Sequence, residues 1–509
     1  MKLLRLIFSK YFISILIILI QITAINIGLN YLKGKFLIAD AIISLVAFVI
    51  YFIIINRNQN PEYKIAWLAL VATFPIVGIT FFIMFGNPRL KKKQSAMMEK
   101  THEKTQFLVD LTREEKKKLY DYLGEYVGIE KYLRRNGHTV GSMNSRVTYY
   151  DIGEKMWEAM KDELRKAKKF IFMEYFIVDP GVMWNEIHEI LKEKAKEGVE
   201  VRFLYDDLGS MTMLKSGYYK TLREEGINCY KFNKIRAIVS GSYNNRDHRK
   251  ITVIDGKVGF TGGINLGDEY INVNKRLGHW KDVGIKIEGE AVRDLTELFL
   301  FNFDMTSKNV SNYDKYFDCD YESFENCGYV HPFGTGPNPF YPEQIGENLF
   351  IYLINHAKRY IYFTTPYLII DYNLTNALRT AALRGVDVRI VVPHIPDKKL
   401  VFNMTKSSYG SLLKAGVKIY QYEPGFIHAK SIISDNKIGF VGTINMDYRS
   451  LTHHYECGAV IYDAPCLVDL KEDFLHTFDV SIEITKENYK IKRFPKFIIT
   501  IIKAFFPMF

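Results

Sequence analysis

A histidine, a lysine and an aspartate recur in this 509-residue chain at one fixed spacing, H-x-K-x4-D. The pattern occurs twice, 180 residues apart, and an asparagine follows each aspartate ten residues later. Nine of the twenty positions from each histidine onward are identical without a gap. The polar residues concerned are His248, Lys250, Asp255 and Asn265 in the first copy and His428, Lys430, Asp435 and Asn445 in the second. Apolar positions repeat easily by chance, whereas a repeat of these polar types indicates chemistry that needs both copies.

The polar residues of each copy are predicted to converge on one spot. Histidine and lysine stand two residues apart in a strand-like apolar run, so their side chains face the same side. The Asp-Gly and Asp-Asn pairs after these runs predict a tight turn into a second strand, which returns the asparagine towards its own histidine and lysine. Two such halves facing each other would supply lysines and asparagines to neutralise a phosphodiester. They would also place one histidine on each side of the phosphorus, as in-line displacement requires.

The duplication extends well beyond the motif and predicts the fold. The run AKKFIFMEYFIVD has a counterpart in AKRYIYFTTPYLI, and VEVRFLYDD has one in VDVRIVVPH, with helix-period segments after both. Alternating strand and helix patterns predict an α/β fold with two mixed, largely parallel sheets, flanking helices and a pseudo-twofold axis. The predicted organisation is a transmembrane region 1–92, a juxtamembrane helical segment 93–135, a first half 136–307, a linker 308–327, a second half 328–485 and a membrane-interacting C-terminal segment 486–509.

Three apolar runs precede the duplicated region, at residues 11–32, 36–56 and 65–86. Each is close to the roughly 20 residues that cross a hydrocarbon core, so three transmembrane helices are predicted. Pro75 lies inside the third run and predicts a kink. The basic cluster that begins at Arg89 follows the last run, and the positive-inside rule assigns it to the cytoplasm. The expected location is therefore the cell membrane, multi-pass, with the catalytic domain in the cytoplasm.

Charge and cysteine content narrow the classes of partner. A formal net charge of +11 suits an anionic partner such as a phospholipid surface or a nucleic acid. The three apolar runs favour the phospholipid and count against a nuclease, so no nucleic-acid partner is expected. The five cysteines are scattered without a C-x-x-C pair, which indicates neither a disulfide framework nor a zinc site.

The two motifs with their flanking stretches resemble the phospholipase D superfamily, and the whole chain looks like the bacterial cardiolipin synthases. The similar stretches include FMEYFI, TTPYLI, GFIHAK, INMDYRS and the apolar WLALVATFPIVGITFFIMFG. The resemblance implies that one motif histidine attacks phosphorus to form a phosphohistidine and that the other protonates the leaving alcohol. It implies no metal and no other cofactor. The implied reaction is reversible phosphatidyl transfer between two phosphatidylglycerol molecules, giving cardiolipin and glycerol.

The resemblance also implies roles for individual residues. His248 and His428 are the nucleophile and acid/base pair, and superfamily analogy favours His248 as the nucleophile without deciding it. The expected phosphate-binding residues are Lys250, Lys430, Asn265 and Asn445. Asp255 and Asp435 complete the two catalytic motifs, although their place at the turn suggests that they anchor the hairpin.

Each histidine also needs a hydrogen-bond acceptor that fixes its tautomer. The aligned acidic residues of WKDVG and HYECG, Asp282 and Glu456, are the candidates. His454 stands two residues before Glu456, where the family usually has asparagine, so the bracing of the second half is expected to differ locally.

Other functions would use the same residues. A phospholipase D-type hydrolase or another phosphatidyltransferase needs the same pair of motifs. A membrane scaffold with an inactive domain would need a broken motif, and both motifs are intact. The expected partners are therefore a phospholipid substrate and the membrane.

Overall fold

The structure is a computed structural model of the chain, and it describes residues 23, 33–86, 90–105, 111–234, 244–489, 499, 502, 503 and 505. It divides into two compact units. The first unit comprises Met1–Arg89, Ile235–Asn244 and Arg493–Phe509, and the second comprises Leu90–Lys234 and Asn245–Lys492. The predicted span 11–32 lies outside the described residues apart from Thr23, and so does most of the predicted C-terminal segment.

The described part of the first unit contains three helices. They are α1 (Lys33–Ile55), α2 (Pro61–Thr73) and α3 (Pro75–Phe85). Within α1, the 19 residues Leu37–Ile55 are apolar and mostly unburied, and their length and composition suffice to cross a membrane. This helix coincides with the second predicted span.

The run 65–86 forms two short helices instead of the one predicted span. Pro75 has no backbone N–H to continue α2, and it begins α3 after a break at Phe74. The helix α3 then folds back on α2: the ring of Phe82 lies 5.3 Å from that of Trp67, and a Cβ at Gly78 would lie 2.5 Å from the Cα of Val71. Helices of 13 and 11 residues extend about 20 and 17 Å, short of the roughly 30 Å of a hydrocarbon core. The run is therefore a helical hairpin.

The second unit contains two large sheets. The strands of the first are β1 (Ser145–Tyr150), β2 (Phe170–Tyr175), β3 (Glu200–Asp206), β4 (Asn228–Phe232), β5 (Lys250–Ile254), β6 (Val258–Gly262) and β8 (Gly284–Gly289). Those of the second are β9 (Tyr329–Thr335), β10 (Tyr360–Thr364), β12 (Asp387–Pro393), β13 (Lys418–Tyr422), β15 (Ser431–Ser434), β16 (Ile438–Gly442), β18 (Glu456–Tyr462) and β19 (Ser481–Ile484). The remaining strands form two small pairs, β7 (His279–Lys281) with β14 (Gly425–Ile427) and β11 (Leu368–Ile369) with β17 (Met446–Asp447).

Helices lead into this unit and cover its sheets. They are α4 (Lys92–Thr105), α5 (Arg113–Leu123), α6 (Val127–Gly137), α7 (Gly153–Lys166), α8 (Val182–Lys196), α9 (Tyr218–Glu224), α10 (Val292–Ser307), α11 (Asp314–Phe317), α12 (Ile345–His356), α13 (Tyr372–Leu383), α14 (Lys399–Lys414), α15 (Tyr448–Thr452) and α16 (Cys466–Asp479). Two 3₁₀ turns, Gly124–Tyr126 and Asp268–Ile271, complete the set.

The two sheets repeat one topology, which confirms the predicted duplicated α/β fold with mixed sheets. Their orders are β1-β8-β6-β5-β2-β3-β4 and β19-β13-β12-β10-β15-β16-β18-β9. The expectation that pairing is largely parallel was wrong. Within the two large sheets, parallel pairing is limited to β2-β3-β4 and β10-β12-β13, and the other neighbouring strands pair antiparallel. The motif strands return through tight hairpins, and a short turn can join only antiparallel neighbours.

One hydrophobic core joins the two halves. The helix α10 of the first half is buried along nearly its whole length and packs against β2, β4 and β5. The same helix packs against β9, an edge strand of the second sheet. Phe299 of α10 and Phe333 of β9 belong to a single cluster that also reaches Phe440 of β16. The halves are thus held in a fixed relation by buried apolar surface.

Asp255 and Asp435 occupy equivalent turns, each in a left-handed conformation with φ of 53° and 54°. The carboxylate of Asp255 accepts hydrogen bonds from the backbone N–H groups of Lys168, Lys169 and Phe170 at 2.7–2.8 Å. The Asp435 carboxylate likewise accepts three from 358–360 at 2.6–2.9 Å. Each aspartate ties its motif hairpin to the start of the neighbouring central strand, β2 or β10.

Replacing Asp255 or Asp435 by alanine should therefore destabilise the fold more than it impairs chemistry. Three backbone donors lose a charged acceptor, so we expect each variant to lose about 2 kcal/mol of unfolding free energy. Thermal unfolding of the detergent-solubilised protein measures the loss, with the exposed Asp162→Ala as the matched control. Unchanged unfolding with abolished turnover would contradict an anchoring role.

Candidate active site

The two motif histidines lie where the halves meet, and each is hydrogen-bonded to the other half. The backbone N–H of His248 donates to the carbonyl of Tyr455 at 2.9 Å, next to a β-bridge between Asp247 and Tyr455. The backbone N–H of His428 donates to the carbonyl of Lys281 at 2.7 Å, just after the parallel pair β7-β14. Each histidine is thereby set beside the residue that follows its carbonyl partner.

Those following residues are the two candidate carboxylates. His248 Nδ1 lies 2.9 Å from Glu456 Oε2, and His428 Nδ1 lies 2.6 Å from Asp282 Oδ2. The pairs are crossed, since each half supplies the carboxylate for the histidine of the other half. A carboxylate accepts the hydrogen of Nδ1, which leaves Nε2 with its lone pair.

The two carboxylates are held by different neighbours. Glu456 also accepts hydrogen bonds from the hydroxyls of Thr443 and Ser450, at 2.5 and 2.6 Å. Asp282 accepts one from the backbone N–H of Val283 at 2.9 Å. Both are fully buried, so these donors replace the water that would otherwise solvate them.

The motif lysines fold back on their own histidines. Lys250 Nζ donates to the carbonyl of His248 at 2.6 Å. Lys430 Nζ donates to the carbonyl of His428 and also lies 2.8 Å from its Nδ1. Both side chains are buried, so the structure places two potential cations beside the two imidazoles.

The motif asparagines stand behind this group in unlike settings. Asn265 accepts from the N–H of Ile177 at 3.1 Å and donates to Tyr270 Oη at 2.7 Å. The backbone N–H of Asn445 donates to Ser450 Oγ at 2.8 Å. The side-chain oxygen of Asn445 is buried without a hydrogen-bond partner among the described residues.

Burial weakens the basicity of all four groups, and repulsion by neighbouring cations adds to this at His248, His428 and Lys430. Burial lowers the pKa of His248 well below its usual value, and the neighbouring Lys250 and Lys430 lower it further. Burial and Lys430 lower the pKa of His428 to about 4, although Asp282 opposes them. Burial also lowers the pKa of Lys250 to about 8 and that of Lys430 to about 7. His428 contributes to the shift at His248, as expected when both motifs share one site.

Aromatic rings close the sides of the site. Phe176 meets the ring of His248 edge-on at 5.0 Å, and Tyr270 meets that of His428 at 5.5 Å. Trp280 lies 5.4 Å from the ring of His428. Two imidazoles whose Nδ1 atoms meet carboxylates, flanked by lysine and asparagine side chains in an aromatic surround, suit displacement at an anionic phosphodiester with water held out.

Comparison with known proteins identifies the family. A family model described as "Cardiolipin synthase, PLD-like domain" matches residues 160–292 and 350–478, one copy in each half. A second, "Phospholipase_D-nuclease N-terminal", matches residues 43–87. A cardiolipin synthase of Halalkalibacterium halodurans is 34% identical over 94% of this chain and 95% of its own length. The chain belongs to the cardiolipin synthase family.

Two further likenesses agree with this membership. An uncharacterized protein of Streptococcus mutans is 41% identical over 89% of this chain and 98% of its own length. In fold, the chain is similar to the crystal structure of phosphatidylserine synthase from Haemophilus influenzae Rd KW20, with a TM-score of 0.56 and 14% identity. That match covers 74% of this chain and 97% of the other. The resemblance inferred from the two motifs is thus confirmed.

Within this family site, Asp255 and Asp435 lie apart from the other motif residues. The strand Lys250–Ile254 lies between His248 and Asp255, and a strand extends by about 3.3 Å per residue. Asp435 is separated from His428 in the same way by the strand Ser431–Ser434. The structure therefore brings together the histidines, lysines and candidate carboxylates, and leaves the aspartates at the far end of each hairpin.

Arg249, between the motif histidine and lysine, is a positioning residue that sequence reasoning missed. Its buried guanidinium donates to the carbonyls of Glu456 at 3.3 Å and Leu298 at 3.0 Å, and to Tyr341 Oη at 3.0 Å. It thus holds the backbone of the carboxylate that pairs with His248. The equivalent residue of the second copy is Ala429, so the repeat gave no signal for it.

Thr443 and Ser450, the hydroxyl donors to Glu456, were also missed. In the gapless alignment Thr443 stands opposite Gly263, and Ser450 lies beyond the twenty aligned positions, so neither position repeats. A side chain at Gly263 would not fit, because its Cβ would lie 2.0 Å from Asp282 Oδ1. The two carboxylates therefore have different hydrogen-bond donors, because the residues at these positions differ between the halves.

Removing either crossed carboxylate should impair chemistry without unfolding the protein. In Asp282→Asn and Glu456→Gln an amide replaces the acceptor, so the imidazole loses its preferred tautomer, and we expect kcat to fall by about 10²- to 10⁴-fold. Steady-state turnover measures the effect. The control is Asp473→Asn, which changes a carboxylate bonded to Lys281 and Tyr149 rather than to a histidine. Equal losses in all three variants would refute a specific role.

The lysine pKa values predict a pH dependence. A lysine is charged below its pKa, so raising the pH through about 7 to 8 removes positive charge from the empty site. We expect kcat/KM for an anionic phosphodiester to fall by about tenfold per pH unit above about pH 7, where Lys430 loses its proton, and more steeply above about pH 8, where Lys250 does so as well. The decline in kcat should begin at higher pH, because bound phosphate keeps the lysines protonated. A kcat/KM that is flat from about pH 6 to about pH 9 would contradict these assignments.

Proposed function

We propose that the protein is a cardiolipin synthase that transfers a phosphatidyl group between two phosphatidylglycerol molecules, giving cardiolipin and glycerol. The observation that carries this proposal is the crossed pair of imidazole–carboxylate contacts with both motif lysines beside it. The named relative at 34% identity, which matches this chain over nearly all of both lengths, supports the choice of substrate.

In the first half-reaction, Nε2 of His248 attacks the phosphorus of one phosphatidylglycerol. A nitrogen–phosphorus bond forms, the phosphorus–oxygen bond to the head-group glycerol breaks, and His428 gives its proton to the leaving oxygen. In the second, a hydroxyl of the other phosphatidylglycerol attacks the phosphohistidine. His428 takes the proton of that hydroxyl, the nitrogen–phosphorus bond breaks, and cardiolipin is released.

The different settings of the two histidines support His248 as the nucleophile. The charge of Glu456 is shared with the hydroxyls of Thr443 and Ser450, so it stabilises an imidazolium at His248 less. Asp282 lies closer to His428 and raises its pKa against burial. A bound phosphodiester would raise the pKa of His428 further and let it hold the proton for the leaving alcohol.

The phosphate would be held by Lys250 and Lys430, with Asn265 and Asn445 as further donors. Two buried ammonium groups offset the charge that develops on the equatorial oxygens. The aromatic surround of Phe176, Tyr270 and Trp280 limits water, which would otherwise compete with the lipid hydroxyl for the phosphohistidine.

We further propose that the protein is a multi-pass protein of the cell membrane with its catalytic unit in the cytoplasm. The apolar helix α1 and the match of residues 43–87 to an N-terminal family model support membrane attachment. The basic residues after the hairpin α2-α3 support the cytoplasmic side. The limits of the halves, 136–307 and 328–485, and a membrane-interacting segment 486–509 stay predictions.

Purified protein with labelled phosphatidylglycerol in vesicles tests the reaction, with products resolved by lipid chromatography. We expect cardiolipin and glycerol from the wild type. We expect no product above background from His248→Ala or His428→Ala, because each half-reaction needs both imidazoles. His476→Ala, on the exposed face of α16, is the control. Phosphatidic acid as the main product would instead establish a phospholipase D-type hydrolase, and near-normal turnover of either variant would refute the paired site.

A further inference from the structure

A third imidazole lies against the proposed nucleophile. The ring of His454 is 5.5 Å from that of His248, at an angle of 41°. Its Nδ1 lies 3.5 Å from Glu456 Oε1, on the opposite carboxylate oxygen from the one that meets His248. Both ring nitrogens of His454 are buried, Nε2 has no hydrogen bond to any described residue, and Nδ1 has only the long contact to Glu456. A buried imidazole in this condition has unused ligand capacity.

The three side chains form a compact set of metal ligands. One nitrogen each of His248 and His454 and one oxygen of Glu456 all lie within 4.8 Å of one another. Ligand atoms around a tetrahedral Zn²⁺ at about 2.0–2.2 Å lie about 3.4 Å apart. The nitrogens of His248 and His454 lie 2.9 and 3.5 Å from the two different oxygens of Glu456, close to that separation. Small side-chain rotations would therefore bring all three atoms onto one ion.

The pseudo-twofold axis supplies an internal comparison. In the first half, the position equivalent to His454 is Trp280. Its ring lies 5.4 Å from that of His428 at an angle of 41°, nearly the same geometry as His454 with His248. An indole N–H donates only, whereas an imidazole nitrogen can bind a metal. The duplicated scaffold thus offers ligand chemistry on one side of the site alone.

We propose that His248, His454 and Glu456 form an inhibitory site for a divalent transition-metal ion of the Zn²⁺ type. Two imidazoles and one carboxylate are the ligand types this ion prefers, and one coordination position remains for water or a phosphate oxygen. The ion replaces the Nδ1 hydrogen of His248, which lies between that nitrogen and Glu456 in the metal-free site. That hydrogen moves to Nε2, which loses the lone pair needed to attack phosphorus. Binding therefore stops turnover.

Metal binding to the full-length protein in detergent tests the site without any lipid reaction. After treatment with EDTA and its removal, Co²⁺ is titrated and its visible absorption is followed, with displacement by Zn²⁺. We expect one equivalent to bind to the wild type with the spectrum of a nitrogen- and oxygen-ligated ion. We expect His454→Asn, which removes one ligand, to weaken binding at least about tenfold.

Two further variants keep the test decisive. His428→Asn removes the other motif histidine and should bind the metal like the wild type although it is inactive. The Glu456→Gln variant should bind the metal more weakly than the wild type, as the His454→Asn variant should. Thermal unfolding checks that each variant is folded. A wild type that binds no Co²⁺ or Zn²⁺, or a folded His454→Asn variant that binds as tightly as the wild type, would overturn the proposal.

Inhibition is measured separately, since this part rests on the proposed role of His248. In the phosphatidylglycerol assay, Zn²⁺ should suppress the wild type reversibly, and excess EDTA should restore it. His454→Asn, compared with its own metal-free rate, should need at least about tenfold more Zn²⁺ for the same fractional loss. Equal sensitivity of the two proteins would overturn the inhibitory role even where binding is found.

Discussion

The crossed imidazole–carboxylate contacts are the constraint on which the rest of the catalytic unit depends. Neither half supplies the carboxylate for its own histidine, because His248 meets Glu456 of the second half and His428 meets Asp282 of the first. A contact of 2.6–2.9 Å tolerates little relative movement, so the halves must be fixed rather than merely tethered. The β7-β14 pair, the bridge at Asp247 and the apolar core around α10 provide that fixation. Duplication here serves chemistry as well as size.

Placing this site in the interior has an electrostatic cost that the proposed substrate would offset. Lys250 and Lys430 are buried close to two imidazoles, and burial lowers the pKa of each lysine. The empty site therefore resists carrying its full positive charge. An anionic phosphodiester would reverse this balance by pairing with the ammonium groups. In the proposed reaction, the same fixed groups would stabilise the charge of the pentacoordinate phosphorus without the reorganisation that water would need.

The sequence predicted those parts of the molecule that repeat. The H-x-K spacing, the turn aspartates and the aligned pair Asp282 and Glu456 all recur, and the family followed from them. Alignment of two copies compares positions and does not say which copy faces which, so the crossing of the carboxylates was not foreseen. Arg249 and Ser450 have no repeated counterpart and gave no signal. The hairpin at Pro75 was not predicted, because the apolar composition of a run gives its length but not the direction in which the chain folds.

The departures from symmetry are as informative as the repeat. Under a perfect twofold, both histidines would have the same basicity, yet the proposed reaction needs one as a neutral nucleophile and the other as a proton carrier. Gly263 leaves room for the carboxylate of Asp282, whereas at the equivalent position the Thr443 hydroxyl donates a hydrogen bond to Glu456. The negative charge of Glu456 is therefore shared with a second donor, and that of Asp282 is not shared in this way. Trp280 and His454 differ at the matching position beside them. The same divergence that supports two different catalytic roles for the histidines therefore places a further imidazole, among the described residues, beside His248 and not beside His428, which makes His248 the histidine at which the proposed metal ion acts.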